Sequence, residues 1–387
     1  MTQIAPCVGI VLLAIFSTTG VENDAPSPFG ATDFKQYYTS SRLLLSGHNP
    51  YDFGLAETVQ RQLGATDAVQ VPYGPPTSLL PFLPLGLVDF GAAVRWQLFF
   101  NIAMLALSGF LWGKMLFPKQ DRMPLIAATS VFLWIPTLFL LGMGHVATWT
   151  LLGFTLWNYF LIGDKPVLAG VLLALSIVKP HLALGLVVYA GAVGIREKRH
   201  RMLAAFVGTV LLASVVTLLI RPTIWSEYLA SLPQSDPAQW YGATLDGWCR
   251  LRLDRWHPGA GSYFRPAGIV LALAMLGWIC ALGWRVRERA TQGVLVPAIC
   301  LCATPYAFSY DHVLVVPGLI LMIGAGLDHG DRKWWAVFIG WIGLDAYCAL
   351  GRSLENFHES NYFLIPWCAL VLTLVLARRQ RHRASGL

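Results

Sequence analysis

Long apolar stretches recur from one end of this chain to the other, separated by short polar clusters, and this pattern decides what it can fold into. A helix rises about 1.5 Å per residue and a bilayer's hydrocarbon core is about 30 Å thick, so a span needs roughly 20 apolar residues. Charged residues make up only 13% of the chain, against roughly 25% in an average soluble domain. That is too little charge to clothe a water-soluble surface of this size. The runs expected to cross are 4–21, 93–113, 123–141, 145–162, 166–178, 181–195, 202–220, 264–284, 292–307, 312–327, 333–350 and 361–377. The stretch 76–88 is apolar but short and proline-rich, and is expected to be re-entrant or interfacial. The fold class is therefore an all-α integral membrane bundle of about 11–13 transmembrane helices, forming one polytopic domain over 1–387.

The basic residues orient the bundle. Seventeen of the 28 Lys and Arg lie in the shortest inter-span segments and at the C-terminal end, and all of these fall on one side: Lys114/Lys119/Arg122, Lys165, Arg196/Lys198/Arg199/Arg201, Arg285/Arg287/Arg289, Arg332/Lys333 and Arg378/Arg379/Arg381/Arg383. Clusters between apolar runs are topology signals rather than a nucleic-acid footprint. This side is expected to be cytoplasmic, with the C-terminus. The long segments 22–92 and 222–263 are then extracytoplasmic loops, in what is expected to be a bacterial cell membrane. No basic residue precedes the run 4–21, which is read as an uncleaved anchor. Of the seven cysteines only Cys249 is in a polar loop, so no disulfide framework is expected.

Two places in this pattern carry chemistry. In the first loop a helical pattern runs from about Phe34 to Ser46, with Thr32 as N-cap and Gly47-His48-Asn49-Pro50 as its stop. A second short helix is expected at about 54–64, and both are expected to lie at the membrane surface. His48 and Asp52 are read as turn residues. The second place is Lys179-Pro180-His181, the shared tip of two short spans. A lysine at such a break is buried near the long-loop face, and buried intramembrane charge is costly and usually functional. Asp345, placed mid-span, is either a partner for a buried base or the mark of a mis-drawn span.

The order of the motifs, from Asp33 to Asp52 with its YY and GHNPYD, then VPYGPPTSLLPFLP, Gly144-His145, the segment Leu175 to His181, and ATPYAFSYDHVLVVP, resembles the polyprenyl-phosphate-mannose-dependent glycosyltransferases of the GT-C superfamily, glycosyltransferase family 87. That family often has Gln or Asn where His145 follows Gly144. The resemblance implies an inverting transferase that moves a sugar, mannose by default, from a polyprenyl-phosphate donor to a hydroxyl of a glycolipid or glycan acceptor. It implies that Asp33 is the catalytic carboxylate. An acceptor hydroxyl is a weak nucleophile, and a carboxylate must take its proton during attack. The leaving lipid phosphate needs positive charge nearby, for which Lys179, His181, His145, His312 and Arg42 are candidates. Tyr37, Tyr51, Tyr73 and Asp311 are expected to line the substrate site. Membrane lipids are the remaining partners, and no nucleic acid is expected. No cofactor and no dedicated metal site are expected, although Asp33 and Asp311 leave a shared divalent ion open. The tryptophans Trp225, Trp240, Trp248 and Trp256 place the second loop over the site as a further expectation. The competing reading is a transporter or flippase of lipid-linked sugars, which calls for charge pairs along a path and internal repeats.

Overall fold

A computed structural model describes residues 32–65, 69–234, 241–285, 289–304, 306–329, 332–351 and 359–384. The run 4–21 lies outside them. Among the described residues the protein is all helix, with no strand. It opens with α1 (Thr32–Leu45) and α2 (Phe53–Gln62), followed by a 3-10 helix, Pro76–Leu87. Next come α3 (Phe90–Leu116), α4 (Met123–Ser130), α5 (Ile135–Met143), α6 (Ala147–Ile162), α7 (Pro166–Leu173), α8 (Pro180–Arg196) and α9 (His200–Ile220). The second loop holds α10 (Ile224–Ser231) and α11 (Leu245–Trp256). The chain closes with α12 (Arg265–Trp284), α13 (Arg289–Ala303), α14 (Val316–His329), α15 (Arg332–Gly351) and α16 (Leu364–Ala384).

Four helical segments are long and apolar enough to span by themselves: Phe90–Leu116, His200–Ile220, Ala260–Trp284 and Ser309–Leu327. Counting the pair Met123–Leu133 and Ile135–Met143, bent by 68°, as one span gives five. Other apolar helices, including Pro166–Val178, Pro180–Arg196 and Arg289–Ala303, are shorter. The longest apolar runs occupy different layers. Nearly all of Ser309–Leu327 is buried, whereas almost none of His200–Ile220 is, and it presents an apolar surface suited to lipid. On the face carrying the basic loops, Arg199 pairs with Asp164 and Arg289 with Glu197. Arg289 also donates to the Leu161 carbonyl at 3.1 Å. These contacts tie the ends of α6, α8 and α13 together.

The first loop folds as its turn residues dictate. Gly47 takes φ +75° after α1. Its N–H donates to Leu44 O at 3.1 Å and that of His48 to Leu43 O at 2.8 Å. This paired closure requires a left-handed residue, which glycine adopts without steric cost. The Asn49 side chain accepts from Tyr51 N–H at 2.9 Å, and Asp52 caps α2 by accepting from Leu55 N–H at 3.0 Å. The Pro76–Leu87 helix then packs on α1. A Cβ on Gly86 would lie 3.1 Å from Ser41 Cβ and 3.2 Å from Arg42 N, so glycine sets this close approach.

Candidate active site

Asp33 lies in the first turn of α1, where the helix dipole favours a carboxylate, and is only 5% exposed. Tyr37, one turn later on the same face, is also buried. Burial, and next the charge on Asp33, raises its phenol well above the ordinary value, so it stays protonated beside the carboxylate.

His145 is delivered by the end of α5. Gly144 adopts φ +64°, with its N–H donating to Leu141 O at 3.2 Å and that of His145 to Leu140 O at 3.0 Å. The left-handed residue swings His145 off the helix axis. Asn101 on α3 holds the His145 carbonyl at 3.0 Å, and Thr148 donates to Asn101 Oδ1 at 2.6 Å. The far end of α5 resolves the question of Asp345. This carboxylate is fully buried, and its Oδ2 accepts from Ile135 N–H at 3.1 Å. It therefore caps a helix that begins inside a bent span, where the first N–H groups have no intrahelical acceptor. Trp341, one turn before it, packs its ring 5.4 Å from that of Trp134, the residue at the break.

Lys179 separates the 3-10 turn Ala174–Val178 from α8. Pro180 disfavours helical geometry for the residue before it, and Lys179 sits at φ −120°, ψ 88°. Lys179 is 7% exposed. Nζ donates to Asp311 Oδ1 at 2.6 Å, lies 3.0 Å from His145 Nε2, and sits 5.3 Å from the centre of the Tyr310 ring. An ammonium has no lone pair to accept with, and the ring faces a donor on its other side as well, Ala147 N–H, 3.3 Å from Nδ1. His145 Nε2 is in turn 3.8 Å from Asp33 Oδ2, and its ring packs on Tyr310 at 4.0 Å.

Four side chains far apart in sequence, Asp33, His145, Lys179 and Asp311, thus form one buried cluster. Asp311 takes a deeper place than the substrate-lining one expected. It is fully buried, its Oδ1 holds Lys179, and its Oδ2 accepts from Phe308 N–H at 3.0 Å. It orients the ammonium from beneath.

The other expected site residues divide. His181 stacks on Tyr306 at 4.2 Å, with its Nδ1 2.9 Å from the Tyr306 hydroxyl. Tyr51 donates to Gly74 O at 3.2 Å and packs 5.3 Å from Tyr228, whose hydroxyl holds the Tyr73 carbonyl at 3.2 Å. Arg42 is not brought to the cluster. It is nine residues beyond Asp33, about 13 Å along the helix and half a turn around it, and it is exposed, with Nη1 donating to the Tyr38 hydroxyl at 3.1 Å. His312 is buried with its ring toward Tyr362, 6.2 Å away. In the second loop Trp225 packs against Tyr228, Trp248 against Phe363, and Trp256 is 85% exposed. Trp240 is outside the described residues. Ala243 N–H donates to Ala307 O at 2.5 Å, joining this loop to the stretch that bears Tyr306 and Asp311. Among the described residues no group of three or more His, Cys, Asp or Glu is placed to hold a metal ion.

Sequence reasoning missed Asn101, Tyr228 and Tyr306. Gln97 and Asn101, four residues apart in an apolar span, were a readable signal, because amides on one face of a buried helix need polar partners.

Comparison with known proteins bears on the same residues. The family model for glycosyltransferase family 87 matches residues 73–317. That stretch includes His145, Lys179, His181, Tyr306 and Asp311; Asp33, Tyr37 and Tyr51 precede it. Neither curated proteins nor solved structures gave a match. The matched stretch covers well over half of a helical membrane chain and contains the helix break with its buried lysine: the protein belongs to glycosyltransferase family 87.

Proposed function

We propose that this glycosyltransferase moves a sugar, by default mannose, from a polyprenyl-phosphate donor to a hydroxyl of a glycolipid or glycan, at the extracytoplasmic face and with inversion. The observation that carries the proposal is the buried cluster in which Asp33 and Lys179 both approach His145. In the reaction the acceptor oxygen forms a bond to the anomeric carbon as its proton passes to the Asp33 carboxylate. The bond from that carbon to the phosphate oxygen breaks, and its electron pair leaves with the lipid phosphate. Lys179, held by Asp311, faces the charge that develops there. His145, between Lys179 and Asp33, spaces the cation from the base. The Tyr306–His181 stack and Tyr37 supply ring faces and hydroxyls suited to a sugar. A donor that enters from the bilayer explains why catalytic groups sit at a break between apolar helices.

The test is transfer in membranes containing the chain, using labelled polyprenyl-phosphate mannose and, in parallel, other polyprenyl-phosphate sugars. Asp33→Asn preserves shape and removes the base, and should lower turnover by about 10²–10⁴-fold while expression and solubilised yield stay the same. Full turnover by Asp33→Asn would defeat the assignment of the base. Transfer only from a water-soluble nucleotide sugar would defeat the assignment of the donor.

A further inference from the structure

Arg42, separated from the reaction cluster by position and by helix face, lines a cavity of its own of about 520 Å³. The walls come from the C-terminal half of α1 (Tyr38, Arg42), the turn residue His48, α2 (Thr58, Gln62) and the start of α3 (Phe90). This volume falls in the range of small-ligand sites. The Arg42 guanidinium lies 5.9 Å from the centre of the Tyr38 ring and donates to the Tyr38 hydroxyl, which itself donates to Val88 O at 2.9 Å. A ring and a hydroxyl thus hold this cation in place. Phe90 adjoins Tyr38 in the wall, with ring centres 5.1 Å apart, and is stacked with Phe34. Asp89, which also lines the cavity, caps its helix by accepting from Ala92 N–H at 2.8 Å.

The surroundings of the cavity select the ligand. Less than two turns along α3 from Phe90, an exposed aromatic group begins: Trp96 stacks on Phe100, and Phe99 meets both rings edge-on. Aromatic rings on the exposed face of a span mark the membrane interface. Leu87, which ends the Pro76–Leu87 helix just before the cavity-lining Asp89 and Phe90, is 72% exposed. A ligand in this cavity therefore has its polar part at Arg42 and an apolar path beside it.

We propose that this cavity binds the phosphate headgroup of a membrane lipid at Arg42, as a site separate from the reaction cluster. The fork geometry of a guanidinium matches phosphate oxygens in a bidentate way. The same chemistry is offered by an ordinary anionic phospholipid and by a polyprenyl phosphate, the carrier that the proposed transfer would release. Only the second identity rests on the proposed function, so the site stands even where that reading fails.

The experiment uses the full chain in phosphatidylcholine nanodiscs, titrated separately with phosphatidylglycerol, undecaprenyl phosphate and inorganic phosphate. Bound lipid is counted by native mass spectrometry. Saturable binding of either lipid that falls about tenfold or more in Arg42→Gln, with a smaller loss in Arg42→Lys, supports the site. Which lipid binds identifies the source. Tyr38→Phe, which releases the guanidinium but keeps the ring, should weaken binding severalfold. Lys179→Met, at the reaction cluster, should leave the binding of phosphatidylglycerol unchanged. Gel filtration verifies that each variant is folded. Lipid binding by Arg42→Gln equal to that of the parent chain would overturn the proposal, as would competition by inorganic phosphate as strong as by lipid, which would show an anion site without lipid selectivity.

Discussion

The contact between Lys179 and Asp311 makes a stability prediction that can be separated from catalysis. Both side chains are buried and Nζ lies 2.6 Å from Oδ1. Removing one member of a buried pair leaves the other charge without compensation and typically costs about 3–5 kcal/mol. In Asp311→Asn the amide can keep its bond from Phe308 N–H only by turning its NH₂ toward the ammonium, so donor meets donor. The cost should lie in that range, and Lys179→Met should cost a similar amount by stranding Asp311. The double variant Lys179→Met/Asp311→Asn buries no charge at either position and should recover most of the loss, because replacing both partners of a buried pair is often near neutral. Activity should not recover with it, since the cation is gone. The assay is thermal aggregation of detergent-solubilised chain followed by fluorescence-detected gel filtration, run beside the transfer assay. A double variant no more stable than either single variant would refute the pairing as the source of the cost. A double variant with restored transfer would refute the catalytic role of the lysine.

Three further outcomes follow from named contacts. Asp345→Asn keeps an acceptor for Ile135 N–H and should be nearly neutral, whereas Asp345→Leu removes the cap of α5, should cost about 1–2 kcal/mol, and should shift the NMR signals of histidine-labelled His145; unchanged His145 signals in the leucine variant would contradict positioning through α5. Gly86→Val forces a branched side chain against Ser41 and the Arg42 backbone and should destabilise the chain by about 1–3 kcal/mol, seen as a lower aggregation temperature. Burial opposes the charge on Glu227, but bonds from Arg221 and Thr223 prevail and its carboxyl is held below the ordinary 4.5. Arg221 also holds Gly47 O at 2.6 Å. A depressed carboxylate stabilises above its unfolded pKa and is lost as pH falls through its folded one, so protection of the 47–48 turn in hydrogen exchange should be intact at neutral pH and fade only below about pH 4.5, and Glu227→Gln should remove that pH dependence.

The amino-acid order makes legible whatever depends on local rules. Apolar length sets the helical membrane class. Gly47 and Asp52 announce the turns that bound α1 and α2, because a left-handed stop and an N-cap are properties of a few adjacent residues. Pro180 announces the break at Lys179 for the same reason. Sequence reasoning also groups Arg42 with the cations of the site, whereas helix geometry sets it apart from Asp33. Being near Asp33 in sequence places Arg42 on the same helix, but nine residues of helix carry it to the other face and the other end. Nothing local indicates that Asp311 lies beneath Lys179, because that pairing joins residues 132 apart, and Asp345 reaches Ile135 across 210.

The two long-range carboxylates share a logic that a pattern of apolar runs hides. Each acts where a short helix begins or breaks inside an apolar layer, at backbone or side-chain groups that water cannot reach and that must still be satisfied. Asp311 holds both the Phe308 N–H and the ammonium at the Lys179 break; Asp345 holds the first N–H of α5, whose other end presents His145. Broken spans bring reactive side chains to mid-bundle positions that a continuous helix would fill with leucine. The breaks at Lys179 and Ile135 expose polar groups that a buried acid from another helix satisfies, so the scaffold of acids and the reaction cluster are built from the same interruptions.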